Sequence, residues 1–299
     1  MQKHPEHQYL DIMRELLESG DPRMDRTGVG TLSLFGRTMR FDLSDGTVPI
    51  FTTKRIYWRN AIKEMLWFLS GNTNIQALLR QHVRIWTDWP LQAYRRQTGE
   101  DITREAFEKR IIEDDEFAAR WGDIGKAYGH QWRHWRGTDG REHDQIATLV
   151  KTLREDPASR RMIFHAWNVA ELDDMALPPC HLLYQFHVTS DGRLNGALYC
   201  RSQDVLIGTP FNVTEAAVLI AMLAQQSGLK PGSLVWFSAD THLYVNHIEQ
   251  ARQQIAREPR PFPTLRLLRH PESIDGYVID DFEVDGYDPH PRIAAPVAV

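Results

Sequence analysis

The stretch "CHLLYQFHVTSDGRLNGALYCRSQD", residues 180–204, constrains the fold of this chain more than any other. Apolar residues alternate along both of its halves, and alternation with period two is typical of strands with one buried face. The Asp-Gly pair in the middle favours a two-residue turn between antiparallel strands. We therefore predict a hairpin in which Ser190 pairs with Arg193 and Cys180 lies opposite Gln203.

Helical patterns surround this hairpin. Residues 59–70 are apolar almost all round, which predicts a buried helix, whereas the helical stretch 103–123 is charged and typical of a surface insertion. Helices mixed with hairpins, without strict strand–helix alternation, predict an α+β fold with a largely mixed sheet in one large domain. Further helices are predicted over residues 6–19, 145–155, about 212–227 and about 241–257.

The charge balance and the cysteine count limit the classes of function. A formal net charge of −5 gives no basic excess for general nucleic-acid binding, so we expect no DNA partner. Two cysteines cannot form a disulfide framework, which favours a reducing compartment. No apolar run approaches the roughly 18 residues that span a bilayer, and the first residues lack the apolar centre of a signal peptide. We therefore expect the protein to be cytoplasmic and not inserted in a membrane.

Cys180 has two interpretations. Its period-two spacing with Tyr184 and Phe186 favours packing, because a free cysteine is usually buried. The hairpin, however, brings Arg201 and Ser202 close to it, and a nearby cation stabilises the reactive thiolate. Two prolines precede Cys180 and fix the approach of the chain. Cys180 is therefore a candidate nucleophile.

Cys200 is the natural comparison. It ends the apolar alternation of "LNGALYC" and has no proline pair before it. We predict that Cys200 packs in the core.

Glu64 lies in the middle of the apolar helix 59–70. A buried carboxylate is costly unless it is neutralised, hydrogen-bonded or functional. The structural alternative is an ion pair with a neighbouring strand, and the functional one is acid–base catalysis.

Four arginines stand beside small polar residues in "DRTG", "SRR" and "CRS". The forked guanidinium suits phosphate, although any one of these arginines alone is more often a surface charge. The candidates for a phosphate clamp are Arg26, Arg160, Arg161 and Arg201.

Two short motifs are typical of the first residues of a helix. Asn212 followed by Glu215 fits a capping box. "DTHLY" also predicts a helix start, with His242 and Tyr244 in the first turn. His130 and His134 have helical spacing, but no third ligand accompanies them, so we expect no metal.

Many separate motifs in chain order together resemble the thymidylate synthase family, from about residue 8 to the last residue. The resemblance implies an α+β fold whose large sheet packs back to back in an obligate homodimer. It implies one catalytic domain over residues 1–299, with a helical insertion at about 90–121. The matching stretches are "DRTGVGT", "TTKR", "LWFLSGNTNI", "SRRMIFHAWN", "LPPCH", "RSQD", "GTPFN", "DTHLYVNH", "REPRP", "GYDPHP" and "APVAV".

The resemblance also implies a reaction: methylation of dUMP at C5 with 5,10-methylenetetrahydrofolate as carbon donor and reductant, giving dTMP and dihydrofolate. Cys180 then matches the nucleophile that adds to uracil C6. Glu64 matches a proton-handling glutamate, and Tyr128 a tyrosine linked to C5 deprotonation. Asn212 matches the residue that reads the uracil O4 and N3 edge, and His181 part of the network beside O4.

The remaining implied roles concern binding. Arg160 and Arg161 match phosphate ligands donated across the dimer, and the terminal "APVAV" a tail that closes over the bound ligands. Arg201 counts among both the catalytic and the phosphate-binding residues. The other nucleotide ligands implied are Arg26, Ser202, Asp204, His242 and Tyr244, and the folate contacts are Lys54, Trp86, Trp89, Asp204 and Val299.

Three rival functions deserve comparison. A hydroxymethylase on the same fold would quench the intermediate with water, but Asn212 favours uracil over cytosine and Trp86 can shield the intermediate from water. A non-catalytic nucleotide-binding or RNA-binding protein would not need the acid–base residues. A Cys–His hydrolase would need Cys180 and His181 to pair, yet they point to opposite faces of a strand.

Cys200, Gln203 and Glu215 depart from the residues that are common in the family.

Overall fold

The structure is a computed structural model that describes residues 3–25 and 27–296. The chain divides into two compact units. The first comprises the described residues of 1–62, 150–163 and 180–298, and the second comprises residues 63–149 and 164–179. The prediction of a single catalytic domain with an insertion at about 90–121 stays a prediction.

Helices and strands alternate irregularly along the chain, as the sequence predicts for an α+β fold. The helices are α1 His7–Ser19, α2 Trp58–Leu69, α3 Gln76–Leu79, α4 Asp88–Thr98, α5 Arg104–Glu113, α6 Asp115–Trp121, α7 Tyr128–Arg133, α8 Gln145–Glu155, α9 Gly208–Gln226 and α10 Ile248–Ile255. The strands are β1 Asp21–Arg23, β2 Thr31–Asp42, β3 Trp135–Arg136, β4 Glu142–His143, β5 Ile163–His165, β6 His181–Val188, β7 Arg193–Asp204, β8 Lys230–Tyr244, β9 Thr264–Leu267 and β10 Phe282–Asp285.

Six strands form a mixed sheet in the order β1-β2-β8-β7-β6-β5. The β1–β2, β2–β8 and β6–β7 pairs are antiparallel, whereas β7 and β8 are parallel and connected through α9. A parallel pair needs such a crossover, because a short turn cannot return the chain to the same edge. The predicted mixed sheet with helices is confirmed.

Helix α9 packs on β7 and β8 and is apolar nearly all round. The β7 residues that alternate toward the core are Leu194, Gly196, Leu198 and Cys200, all of them buried. A Cβ atom on Gly196 would lie 2.6 Å from Ile220 Cδ1 in α9. Glycine at this position therefore lets helix and sheet approach closely.

An apolar patch covers part of the other face of the sheet. Tyr199 pairs with Leu183 on one side and with Phe237 on the other, where the two rings stack with centroids 5.0 Å apart. The neighbouring pair Ala197–Val235 extends the patch. Tyr199 is 36% exposed. We call these five residues the open apolar face.

The β6–β7 hairpin forms as predicted, but its register was predicted wrongly. Thr189 and Arg193 close a three-residue loop instead of a two-residue one, with Gly192 at φ 76°. A bulge between His181 and Leu183 shifts the register by one further residue. The Cys180 carbonyl consequently accepts from the Arg201 N–H at 2.9 Å, and Cys180 does not lie opposite Gln203.

Two helix predictions also need correction. Helix α9 begins at Gly208, so Asn212 and Glu215 lie inside the helix and do not form a capping box. The "DTHLY" segment is the end of strand β8, so His242 and Tyr244 are strand residues, not residues of a first helical turn. The helix that follows begins only at Ile248.

The second unit contains the charged stretch that the sequence marks as helical. It forms α5 and α6, which pack together with α4 around Tyr94, Phe107 and Phe117. Over residues 3–25 and 27–296, no helix is long and apolar enough to cross a membrane.

Candidate active site

Cys180 directly precedes strand β6 and is only partly buried. The hydrogen bond from Arg201 N–H to its carbonyl places Arg201 across from it, as the neighbouring strand β7 runs past. The sequence predicts Arg201 and Ser202 in this neighbourhood, and the structure places both on β7 beside the cysteine end of β6. Cys180 is thus a partly exposed cysteine with a cationic residue across from it on β7.

Cys200 is more deeply buried than Cys180. It is completely buried beneath α9, and burial raises the pKa of its thiol well above the usual value. A buried thiol of this kind is inert and packs like a small apolar residue. The prediction that Cys200 belongs to the core is confirmed.

His181 lies in the bulge at the start of β6. Its Nδ1 is 3.4 Å from the Tyr184 hydroxyl, a contact between residues three apart that a regular strand would place on opposite faces. Burial lowers the pKa of His181 to about 3. The ring is therefore neutral near pH 7 and suits a hydrogen-bond network, not a proton shuttle.

Asn212 projects from the second turn of α9 and is held at both ends of its amide. Gln203 Nε2 donates to Asn212 Oδ1 at 3.0 Å, and Asn212 Nδ2 donates to Glu215 Oε2 at 3.2 Å. Gln203 and Glu215 are each 2% exposed, whereas Asn212 is half-buried. The amide thus keeps one N–H and one oxygen lone pair for a ligand.

The parallel β7–β8 register brings further predicted ligands together. Asp204 pairs with His242, and Ser202 pairs with Asp240. Asp240 Oδ1 lies 3.3 Å from His242 Nδ1 and also accepts from Ser33 Oγ at 2.8 Å. The hydrogen bond with His242 is the main cause that lowers the pKa of Asp240.

Sequence reasoning missed Asp240 as the residue that orients His242. The signal was present, because residues two apart in a strand share a face. The helix-start interpretation of "DTHLY" concealed it.

Asp204 and Lys54 both form hydrogen bonds with the turn between β7 and α9. Asp204 Oδ1 accepts from the backbone N–H groups of Leu206 and Ile207 and so begins the turn into α9. Lys54 is buried and its ammonium donates to the Leu206 carbonyl. Burial lowers the pKa of Lys54 to about 8, an effect that nearby Asp204 opposes.

The phosphate-binding candidates fall into three groups. Arg201 is beside Cys180, as described above. Arg160 and Arg161 are exposed on the connection between α8 and β5, and within the described part of the chain neither guanidinium pairs with an acidic side chain. Arg26 lies outside the described residues, as does Val299 at the chain end.

The second unit contains the other predicted catalytic side chains in one aromatic cluster. Trp86 Nε1 donates to Glu64 Oε1 at 2.6 Å, and the two residues are 7% and 9% exposed. The Trp86 ring centroid lies 5.9 Å from that of Tyr128 and 5.1 Å from that of Trp89. Glu64 is thus the buried, hydrogen-bonded carboxylate that the sequence predicts, and its partner is an indole.

The loop that contains Trp86 is anchored by helix α5. Thr87 Oγ1 donates to Glu108 Oε1 at 2.7 Å, and both residues are buried. Glu108 also forms ion pairs with Arg84 at 3.3 Å and with Arg104 at 3.2 Å. Arg104 reaches Asp88 as well, at 3.3 Å. Sequence reasoning missed Glu108, because its charged surroundings look like a solvated face.

His130 lies in α7 and His134 directly follows this helix, with the two ring centroids 6.1 Å apart. Among the described residues, no three histidine, cysteine or acidic side chains gather in a way that could hold a metal ion. The groups described above are a partly exposed cysteine across from an arginine, an amide with two hydrogen-bond partners and a buried carboxylate with an indole donor.

Comparisons with known proteins identify the family of this chain. A sequence model of the family described as thymidylate synthase matches residues 7–299. Thymidylate synthase from Cereibacter sphaeroides (strain ATCC 17029 / ATH 2.4.9) is 66% identical over 296 residues, covering 99% of each chain. The thymidylate synthases of Rhodopseudomonas palustris (strain BisA53) and Sinorhizobium fredii (strain NBRC 101917 / NGR234) are 65% and 62% identical, over 99% and 100% of this chain and the whole of each relative. The chain belongs to the thymidylate synthase family.

Proposed function

We propose that this chain methylates dUMP at C5 with 5,10-methylenetetrahydrofolate and releases dTMP and dihydrofolate. The observation that carries the proposal is the contrast between the two cysteines. Cys180 is partly exposed and lies across from Arg201, whereas Cys200 is fully buried. Family membership over residues 7–299 supports the same reaction.

Cys180 acts as the nucleophile in this proposal. Uracil C5 reacts poorly with a carbon electrophile until a nucleophile adds to C6. The Cys180 thiolate forms a bond to C6, and the C5–C6 π electrons move toward C5 and O4 as an enolate. Arg201 favours the thiolate by its positive charge. Elimination later breaks the S–C6 bond and returns the thiolate.

Proton transfers fall to the buried groups of the second unit. The C5 proton has to leave after the one-carbon unit is attached, and Tyr128 is the proposed residue linked to that step. Glu64 handles protons on the oxygen side of the ring through water. The Trp86 indole holds the Glu64 carboxyl in one orientation at 2.6 Å. Water exclusion by the surrounding rings strengthens these interactions.

Nucleotide binding is assigned to residues of the first unit, on strands β6, β7 and β8 and on helix α9. The amide of Asn212 presents one donor and one acceptor to the base, and His181 contributes a neutral ring near O4. Arg201 and Ser202 bind the phosphate in this proposal. Arg26, which lies outside the described residues, is a further proposed phosphate ligand. His242, oriented by Asp240, and Tyr244 bind the deoxyribose hydroxyl.

The folate contacts proposed are Trp86, Trp89, Asp204, Lys54 and Val299. Trp86 and Trp89 fit a fused ring system, because their indoles are 5.1 Å apart and Trp89 is only partly buried. When bound, methylenetetrahydrofolate supplies one carbon to C5 and then a hydride. Lys54 is buried under Leu206, so contact with a folate tail requires this side chain to be released.

We also propose a homodimer in which the sheets pack back to back through the open apolar face. An apolar surface around a partly exposed, stacked tyrosine favours such an interface. Arg160 and Arg161, exposed and unpaired with acids in the described residues, are the proposed donors to the partner's phosphate site. Two unbridged cysteines fit the reducing cytoplasm as the place of the reaction.

Product analysis tests this function. The protein is incubated with dUMP and methylenetetrahydrofolate, and the nucleotide mass is measured together with the absorbance of dihydrofolate. We expect dTMP and dihydrofolate in equal amounts. A hydroxylated nucleotide with tetrahydrofolate would show that water, not hydride, quenches the intermediate. Binding of dUMP without any product would indicate a non-catalytic protein.

A further inference from the structure

The amide of Asn212 is held by two partners of opposite hydrogen-bonding character. Glu215 Oε2 accepts from Nδ2 at 3.2 Å, and Gln203 Nε2 donates to Oδ1 at 3.0 Å. Both partners are 98% buried, so water does not compete for these bonds. A Cβ atom on Gly208 would lie 2.8 Å from Gln203 Nε2, so glycine there leaves room for the amide of Gln203.

The two partners are not equivalent. An ionised carboxylate can only accept a hydrogen bond, whereas a carboxamide can rotate and present either its N–H or its oxygen. In its carboxylate form, Glu215 therefore fixes which end of the Asn212 amide faces it, as the hydrogen bond from Nδ2 to Oε2 shows, and Gln203 adapts to the opposite end. If Asn212 rotated by 180°, its oxygen would face the carboxylate, and two buried acceptors would repel each other.

The orientation of this amide decides which pyrimidine it can read. The ring edge of uracil presents an N3–H donor and an O4 acceptor. The same edge of cytosine presents an N3 acceptor and an N4–H donor. An asparagine in one orientation therefore pairs with uracil, and the rotated amide pairs with cytosine.

We propose that Glu215, with Gln203, sets the preference of this protein for uracil by fixing the orientation of the Asn212 amide. The proposal rests on the function proposed above, because it takes Asn212 as the residue that contacts the base. Glu215 and Gln203 are positioning residues here and do not touch the nucleotide.

The test measures the dissociation constants of dUMP and dCMP by calorimetry, without folate, for the full chain. Glu215→Gln keeps the volume but removes the fixed acceptor. The double change Gln203→Glu with Glu215→Gln moves the fixed acceptor to the other end of the amide. Gln225→Glu is the control, about 15 Å along α9 from Glu215, where a carboxylate can still accept from the Tyr277 hydroxyl.

The wild-type protein should bind dUMP more tightly than dCMP. Glu215→Gln should lower this preference about tenfold or more, and the double variant should bind dCMP more tightly than dUMP. The control should keep the wild-type ratio. If the double variant does not fold, Glu215→Gln alone decides the question.

An unchanged ratio in Glu215→Gln would overturn the proposal, and so would an equal loss of affinity for both nucleotides, which marks a merely structural role. These results differ from a failure of the proposed function. In that case the wild-type protein itself would bind no dUMP, or would bind it without forming dTMP.

Discussion

The indole N–H of Trp86 donates a hydrogen bond to the carboxyl of Glu64, and both side chains are more than nine-tenths buried. The bond joins a residue assigned to folate contact to the residue assigned to proton transfer. This one bond fixes both the orientation of the Glu64 carboxyl group and the position of the Trp86 ring.

Removal of this indole donor tests its importance. Trp86→Phe keeps an aromatic ring but leaves Glu64 without the Nε1 donor. Since hydrogen bonds to charged groups contribute about 1.5–3 kcal/mol, kcat should fall roughly 10- to 100-fold. Trp121→Phe is the control, because Trp121 packs on Tyr94 in the same unit. Equal kcat values for the two variants would contradict the role given to Trp86.

The anchoring of the Trp86 loop by helix α5 predicts a stability effect. Thr87→Val keeps the shape of the side chain but removes the donor to Glu108 Oε1. The free energy of unfolding should fall by about 1–3 kcal/mol, as measured by urea denaturation. The KM for folate should rise more than the KM for dUMP, because Thr87 lies between Trp86 and helix α4, whose first turn contains Trp89. A stable variant with both KM values unchanged would contradict this anchoring.

Burial of Lys54 predicts that the free energy of unfolding changes with pH in the alkaline range. Its pKa is about 8 in the folded chain, lowered by burial, against about 10.4 when unfolded. Between these values the unfolded chain holds a proton that the folded chain has lost. The free energy of unfolding should therefore rise by up to about 3 kcal/mol from pH 8 to pH 10.4. Below pH 8 the full penalty of the buried charge is present.

Lys54→Met should remove this component. The difference in unfolding free energy between wild type and variant should shrink as pH rises from 8 to 10. A difference that does not change with pH would contradict a buried ammonium at this position.

Burial of His181 predicts that the free energy of unfolding depends on pH in the acidic range. Burial lowers its pKa to about 3, whereas an unfolded histidine titrates near 6.5. As pH falls below 6.5, the unfolded chain binds a proton and the folded chain does not. This ring should lower the unfolding free energy by about 2 kcal/mol between pH 6.5 and pH 5, and have no effect above 6.5. His181→Asn should remove that slope, and a variant with the wild-type acid slope would contradict the assignment.

Local patterns predicted the hairpin, the buried carboxylate of Glu64 and the packing of Cys200 in the core. They could not predict the register, because an Asp-Gly pair also fits the three-residue loop with Gly192 in the left-handed region. The bulge after His181 has no local sequence signal.

The predictions of where α9 begins and where β8 ends were wrong for different reasons. Asn212 and Glu215 have the spacing of a capping box, but Pro210 is tolerated in the first turn of a helix that begins earlier. Strand β8 continues through His242 because β2 and β7 pair with it on both sides. Such pairing comes from distant parts of the chain, so a short window of sequence does not contain it.

The central claim is that the Cys180 thiolate attacks uracil, and one comparison of variants tests it most directly. Turnover of dUMP and its dissociation constant are measured for Cys180→Ala and Cys200→Ala. We predict that Cys180→Ala abolishes turnover and binds dUMP with nearly wild-type affinity, while Cys200→Ala retains turnover. Methylation that survives in Cys180→Ala would contradict the account.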